Sequence, residues 1–97
     1  MAKGYWIGRI DVHDMEAYKA YIETATPAYR EHGARFLVRG GDHDAVEGPS
    51  RARNVVIEFP SYAAALACYD SETYQQARAI RQKFSDGELL IIEGYDG

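Results

Sequence analysis

Cysteine, proline and long hydrophobic runs are all scarce in this sequence. Its one cysteine, Cys68, has no second thiol to pair with, so an internal disulfide is excluded and a reducing cytoplasm is the expected location. The longest apolar runs are a few residues, far below the ~20 residues that span a bilayer. No charged-then-apolar signal segment follows Met1. We therefore expect no membrane partner.

Basic residues are also in deficit. Eleven Lys and Arg stand against fifteen Asp and Glu, which gives a net charge of −4 and no basic field for phosphates, so nucleic acid is not an expected partner. With 46% hydrophobic and 27% charged residues, the composition is that of a globular chain. We expect one domain, residues 1–97, with no separate cofactor domain and no cofactor.

Tyrosine is abundant, with eight copies against three phenylalanines and one tryptophan. Four of these residues lie on apolar stripes of predicted helices, where core packing of the ring is expected: Tyr18, Tyr21, Tyr62 and Tyr69. Tyr5 lies instead in a predicted strand.

The order of predicted elements is β-α-β-β-α-β. The strands are Gly4–Val12, Arg35–Arg39, Arg53–Phe59 and Glu88–Tyr95. The first helix starts after the Asp14 N-cap, meets a break or restart at Pro27, and ends at Gly33. The second helical region starts after Ser61, is recapped at Asp70–Ser71, and ends at Asp86–Gly87. This order predicts an α+β, ferredoxin-like sandwich with a four-stranded antiparallel sheet and both helices on one face.

The predicted sheet is apolar on both faces. In the last strand, Leu90 and Ile92 lie on one face of the sheet and Leu89 and Ile91 on the other. In the third strand, Val56 lies on one face and Val55, Ile57 and Phe59 on the other. A bare second face would expose several hundred Å² of apolar surface, more than most monomers show. We therefore expect a homodimer in which two sheets face each other.

Several short blocks resemble one small bacterial family. They are Arg39–Gly40–Gly41, Glu47–Gly48, Val56–Ser61, Tyr69–Asp70–Ser71 and Tyr74. The sequence resembles, over nearly its whole length, the family known as domain of unknown function 1330. The resemblance implies a dimeric α/β barrel, a superfamily that also holds antibiotic-biosynthesis-type monooxygenases, muconolactone isomerase-like enzymes and stress-responsive proteins. The family itself has no settled activity.

The chain departs from the family pattern at two tryptophans. The residue before the Tyr–Asp–Ser block is Cys68 rather than tryptophan, and Pro49 follows the Glu–Gly block where a tryptophan is common. If those tryptophans line a cavity, the cavity of this chain is reshaped.

The best catalytic candidates are Arg39, His43, Glu47 and Arg53, which a hairpin could bring together. An arginine would clamp a carboxylate or enolate while His43 or Glu47 moves a proton. The alternative is a loop held by Arg–Glu salt bridges, which contribute little to stability.

Tyr5 and Arg9 share the other face of the first strand with Ile7 and are candidate ligand-binding residues. The alternative is an ordinary dimer interface, since tyrosine and arginine are enriched there.

Other charged or reactive residues receive structural interpretations. The His13–Asp14 and Asp42–His43–Asp44 segments lack the spacing of metal ligands, so no metal is expected. Cys68 is expected to pack in a helix, and Arg78, Arg81 and Lys83 to form a solvated helix face.

Two functions remain open. One is a cofactor-independent monooxygenase- or isomerase-like enzyme that acts on a small enolisable or phenolic molecule, with Arg39 and Arg53 holding negative charge and Tyr5 as a positioning donor. The other is a non-catalytic barrel that binds a small molecule or serves in stress response. A shared fold does not decide between them.

Overall fold

The computed structural model describes residues 2–97 and confirms the ferredoxin-like order. The elements are β1 (Gly4–Val12), α1 (Met15–Glu31), β2 (Arg35–Arg39), β3 (Arg53–Phe59), α2 (Tyr62–Asp70), α3 (Glu72–Phe84) and β4 (Ser85–Glu93). The four strands form one open sheet in the order β2-β3-β1-β4, and all neighbours are antiparallel. We call the face covered by the helices the inner face and the opposite one the outer face.

The core lies between the inner face and the helices. Trp6 of β1 is 1% exposed and donates from Nε1 to the backbone carbonyl of Ala65 in α2, at 2.9 Å. Its indole packs edge-on against the rings of Tyr29 and Tyr74, whose centroids are 5.8 and 4.7 Å away. One buried indole thus joins β1 to all three helices.

The first helix runs through Pro27 without ending. The Asp14 carboxylate accepts from the backbone N–H of Ala17 and caps the helix as predicted. The predicted break is absent because Ala25 and Ala28, on either side of the proline, are fully buried, so packing holds the helix across it. Gly33 follows the C-cap with φ of +72°, the left-handed conformation that favours glycine.

The last strand starts earlier than the sequence predicts. It begins at Ser85 rather than Glu88 and ends at Glu93 rather than Tyr95. The Asp86–Gly87 pair therefore lies in the sheet, not at a helix end, because β1 offers pairing partners as far as Val12. A side chain at position 87 would collide with the Arg9 backbone carbonyl, so the glycine permits this pairing.

The outer face is apolar, as the alternation predicts. Leu90 and Ile92 are 52% and 49% exposed, whereas Leu89 and Ile91 pack against the core. Tyr62, predicted to pack in the core, is instead exposed at the first residue of α2, whose buried residues are Ala65 and Cys68. Among residues 2–97, no helix combines the length and the hydropathy needed to cross a bilayer.

Candidate functional site

An inner cavity lies between the inner face of the sheet and helices α1 and α3. Its volume is about 30 Å³, enough for one or two water molecules. The lining residues are mainly aromatic and aliphatic, with three arginines: Trp6, Gly8, Ile10, Tyr18, Tyr21, Ile22, Tyr29, Phe36, Arg39, Arg53, Val55, Ile57, Tyr74, Arg81 and Leu89.

Arg39 reaches this cavity because β2 is bulged. Phe36 pairs with Ile57 on the inner face, and strict alternation would place Val38 beside it. The register shifts between Phe36 and Val38, so Val38 turns to the outer face and Arg39 to the inner face. The guanidinium of Arg39 lies 4.1 Å from the centroid of the Phe36 ring, a cation–π contact at the exposed rim of the cavity.

Arg53 enters from the start of β3. Its guanidinium lies 5.8 Å from the centroid of the Tyr18 ring. Gly40, which has φ of +71°, faces it: a Cβ at this position would be 3.0 Å from Nη1 of Arg53. The glycine thus provides both the turn after β2 and the space for the arginine. The structure brings Arg39 and Arg53 together at one cavity.

Arg81 corrects a sequence prediction. It was expected on a solvated face, yet it is only 8% exposed and lines the inner cavity. Its spacing from Tyr74 and Ala77, seven and four residues earlier, places all three on the buried side of α3. This spacing indicates a buried position, but the positive charge of the side chain favours an exposed one, and the prediction followed the charge.

Three tyrosine hydroxyls form a buried chain beside Arg81. Tyr21 Oη lies 3.0 Å from Tyr29 Oη and 3.0 Å from Tyr74 Oη. Burial raises the pKa of each of the three phenols, so all three are neutral and act as hydrogen-bond donors and acceptors. The site therefore presents phenols and guanidinium groups to its interior.

The charge around the cavity is unbalanced. Among residues 2–97, no Asp, Glu or His lines the cavity, and neither Arg39, Arg53 nor Arg81 forms a salt bridge. Of the three, only Arg81 is buried, and a buried charge is normally paired. The arrangement is suited to holding a negatively charged group.

His43 and Glu47 lie apart from the two arginines. Both are exposed in the segment between β2 and β3, and neither lines the inner cavity. His43 Nδ1 is 3.4 Å from the backbone carbonyl of Gly41 in the same segment. Their proposed role in proton transfer stays a prediction.

Tyr5 and Arg9 lie on the outer face. The Tyr5 hydroxyl donates to Oε2 of Glu58 at 3.0 Å, and this hydrogen bond raises the pKa of the phenol. Arg9 Nη2 donates to the backbone carbonyl of Pro49 at 2.8 Å. These residues point away from the inner cavity, and their role in ligand binding stays a prediction.

Arg51 forms an ion-pair cluster that the sequence analysis did not single out. It donates from Nη1 to Asp11 at 2.8 Å and from Nη2 to Glu88 at 2.6 Å. The backbone N–H of Ala52 also donates to Asp11, and this bond lowers the pKa of that carboxyl, with Arg51 adding to the effect. The cluster fastens the end of the segment before β3 to β1 and β4.

Cys68 is fully buried, as predicted. Burial raises the pKa of its thiol to about 12, so the residue is a packing group and not a nucleophile. Within residues 2–97, no three His, Cys, Asp or Glu side chains are grouped so that they could hold a metal ion.

Comparisons with known proteins agree with the fold. The family model described as domain of unknown function (DUF1330) matches residues 3–95. No curated protein sequence matches the chain.

Several solved structures share the architecture at low identity. A protein of unknown function from Rhodopseudomonas palustris has a TM-score of 0.78 and 19% identity, with 99% of this chain and 85% of that chain covered. SnoaB, a cofactor-independent oxygenase from Streptomyces nogalater, has a TM-score of 0.67 and 9% identity, with 100% and 97% covered. A dimeric ferredoxin-like protein of unknown function from Jannaschia sp. has a TM-score of 0.66 and 15% identity, with 96% and 98% covered. At these identities the likeness shows the fold alone.

Proposed function

Since the chain belongs to the DUF1330 family, we propose that it is a cofactor-independent monooxygenase- or isomerase-like enzyme that acts on a small enolisable or phenolic molecule. One observation carries the proposal: Arg39 and Arg53 converge on an aromatic cavity that no Asp or Glu among residues 2–97 lines. The SnoaB-like fold is consistent with such an activity.

The arginines would favour the anionic form of the substrate. A guanidinium close to a developing enolate or phenolate oxygen lowers the free energy of that anion in a low-dielectric site. An enolate is more electron-rich than its protonated form. It is the form in which the double bond can migrate during isomerisation, or in which the substrate can react with dioxygen. Arg39 and Arg53 would therefore stabilise the reactive state, and the neighbouring Tyr18 hydroxyl would orient it.

Substrate entry would require side chains to move. The inner cavity measures about 30 Å³, whereas sites for small molecules are about 300 Å³ or larger. Arg53 also borders an outer hollow of about 290 Å³, lined by Val12, Met15, Gly40 and Ala52. Rotation of the Arg53 and Arg39 side chains would join the hollow to the inner cavity.

The second candidate is non-catalytic binding of a small molecule. It is favoured by the absence of His, Asp and Glu from the cavity lining within residues 2–97, which leaves no conventional general base there. His43 or Glu47 would supply the base only if the segment between β2 and β3 folded inward.

The outer face would complete the assembly as a homodimer. Leu37, Val38, Leu90 and Ile92 are each 44% exposed or more, which is an apolar surface that a second sheet would cover. The Jannaschia protein is described as dimeric. Two open sheets packed face to face would give the barrel that the family resemblance implies.

A binding and turnover assay tests the proposed function. Phenols and β-diketones would be screened by thermal shift, and each ligand that binds would be incubated with the protein while oxygen consumption and isomerisation are followed. We expect a ligand that raises Tm and is converted, and we expect Arg53→Met to weaken both effects.

Lys83→Met is the matched control, since it removes one positive charge from an exposed position of α3 outside the cavity lining. Binding without conversion would favour the second candidate. Failure of every phenol and diketone to bind would contradict the proposed enzyme activity.

A further inference from the structure

Arg81 is a buried cation that lacks an anionic partner. We propose that it anchors the carboxylate group of a small carboxylic acid inside the inner cavity. This inference rests on the proposed function in that it uses the same cavity, but it assigns a residue and a ligand class which that proposal does not contain.

The burial of Arg81 is the first argument. The residue is 8% exposed, and its Nε is buried without a hydrogen-bond partner. Among residues 2–97 it forms no salt bridge. Moving a guanidinium out of water costs several kcal/mol unless a counter-charge offsets it. An anionic ligand at this point would supply the missing counter-charge.

The neighbours of Arg81 form the second argument. It lies close to Tyr74, whose hydroxyl is hydrogen-bonded to Tyr21. Both Arg81 and Arg53 lie near enough to the Tyr18 hydroxyl for their charges to oppose the rise in its pKa that burial causes. A carboxylate at this point would receive guanidinium donors from two elements and phenolic donors from α1 and α3.

The ligand class follows from the size and lining of the space. A volume of about 30 Å³ holds a group of a few heavy atoms, such as a carboxylate, and no more than that group. The rings of Trp6, Tyr29 and Phe36 also line the cavity, so a planar, apolar body would pack beside the carboxylate once the Arg39 and Arg53 side chains rotate as substrate entry requires.

Arg78 provides a contrast on the same helix. Its Nε is also buried without a partner, but the residue is only partly buried, its Nη1 donates to Gln75 at 3.4 Å, and it does not line the cavity. It is therefore the matched control for removing one guanidinium from α3.

The first experiment compares acids with amides of the same shape. Formate, acetate and benzoate would be titrated against formamide, acetamide and benzamide at constant ionic strength, with Tm and calorimetric Kd as readouts. We expect the carboxylates to raise Tm and the amides to leave it unchanged, with benzoate binding tightest. Equal effects of acid and amide would overturn the assignment of the ligand class.

The second experiment removes the guanidinium. We expect Arg81→Met to weaken benzoate binding by about 30-fold or more, because a charge-paired hydrogen bond would be lost, whereas Arg78→Met leaves Kd unchanged. Without ligand, Arg81→Met should have a Tm equal to or above that of the wild type, because methionine removes an unpaired buried charge. A purely structural Arg81 would give a lower Tm and an unchanged Kd.

Two further outcomes keep the inference separate from the proposed function. If Arg81→Met does not fold, the Nε–H resonance of Arg81 in the wild-type protein is followed by NMR, and a shift with benzamide equal to that with benzoate would overturn the inference. Phenol binding without any carboxylate binding would overturn it while leaving the proposed function intact. Carboxylate binding that depends on Arg81, with no phenol or diketone bound, would support the inference and contradict the proposed function.

Discussion

The Tyr21 hydroxyl is the central member of the buried tyrosine chain. It is 3.0 Å from both the Tyr29 and the Tyr74 hydroxyls, so its removal leaves two buried phenols short of a partner. We predict that Tyr21→Phe lowers the free energy of unfolding by about 1–3 kcal/mol, the usual cost of unsatisfied buried polar groups. Urea unfolding followed by tryptophan fluorescence would measure the change.

Tyr95→Phe is the control, because this ring is 94% exposed and its substitution should stay within about 0.5 kcal/mol of the wild type. Equal losses in the two variants would show that the phenol chain contributes nothing specific.

At the residue scale, helical periodicity predicted burial correctly in α1 and wrongly for Tyr62 in α2, and the charge of a side chain misled the prediction in α3. Tyr18 and Tyr21 are buried as their helical spacing indicated. Arg81 shares that spacing on α3, but its charge led to an exposed assignment. Sequence rules place charged residues outside because burying them is costly, and a site that holds an unpaired charge for a ligand is where such rules fail.

At the element scale, strand boundaries in the sheet were fixed by partners rather than by local propensity. Asp86 and Gly87 favour a turn, yet they pair with Asp11 and Ile10 because β1 continues that far. The bulge in β2 has the same origin, since no residue of Arg35–Arg39 marks it. The bulge turns Arg39 towards the cavity. The position of Arg39 in the candidate site therefore depends on strand register, which the structure shows and the local sequence does not.

The segment between β2 and β3 is fastened mainly at its second end. Arg51 binds Asp11 and Glu88, and Ala52 donates to Asp11. We predict that Arg51→Met accelerates amide hydrogen exchange in residues 41–52 while changing global stability by less than about 1 kcal/mol, because partly exposed ion pairs contribute little. Hydrogen exchange read by mass spectrometry, together with urea unfolding, would test both parts.

Arg35→Met serves as the comparison for this segment, since Arg35 is exposed at the start of β2. The same acceleration in both variants, or protection unchanged in Arg51→Met, would show that the ion pairs do not hold the segment.

At the scale of the whole molecule, the two faces of the sheet differ in how far they are covered. The inner face is covered by α1, α2 and α3 of the same chain, and its residues form the core. The outer face keeps Leu90 and Ile92 about half exposed, with Ile7 and Val56 between the edge strands. Nothing else among residues 2–97 covers this surface, so a second copy is the economical partner.

The homodimer is tested by placing charge on that surface. We predict that the wild-type protein has about twice the 10.9 kDa chain mass in light scattering, and that the Leu90→Lys, Ile92→Lys double variant is monomeric, because two lysines per copy would be buried without partners. Its Tm should fall and lose its dependence on protein concentration. Val46→Lys is the control, since Val46 is 86% exposed in the segment between β2 and β3 and its change should leave the dimer intact. A monomeric wild type would contradict the homodimer. A double variant that remains dimeric would show that the two copies do not pair through Leu90 and Ile92. In either case the inner cavity, which one chain forms by itself, would be unaffected.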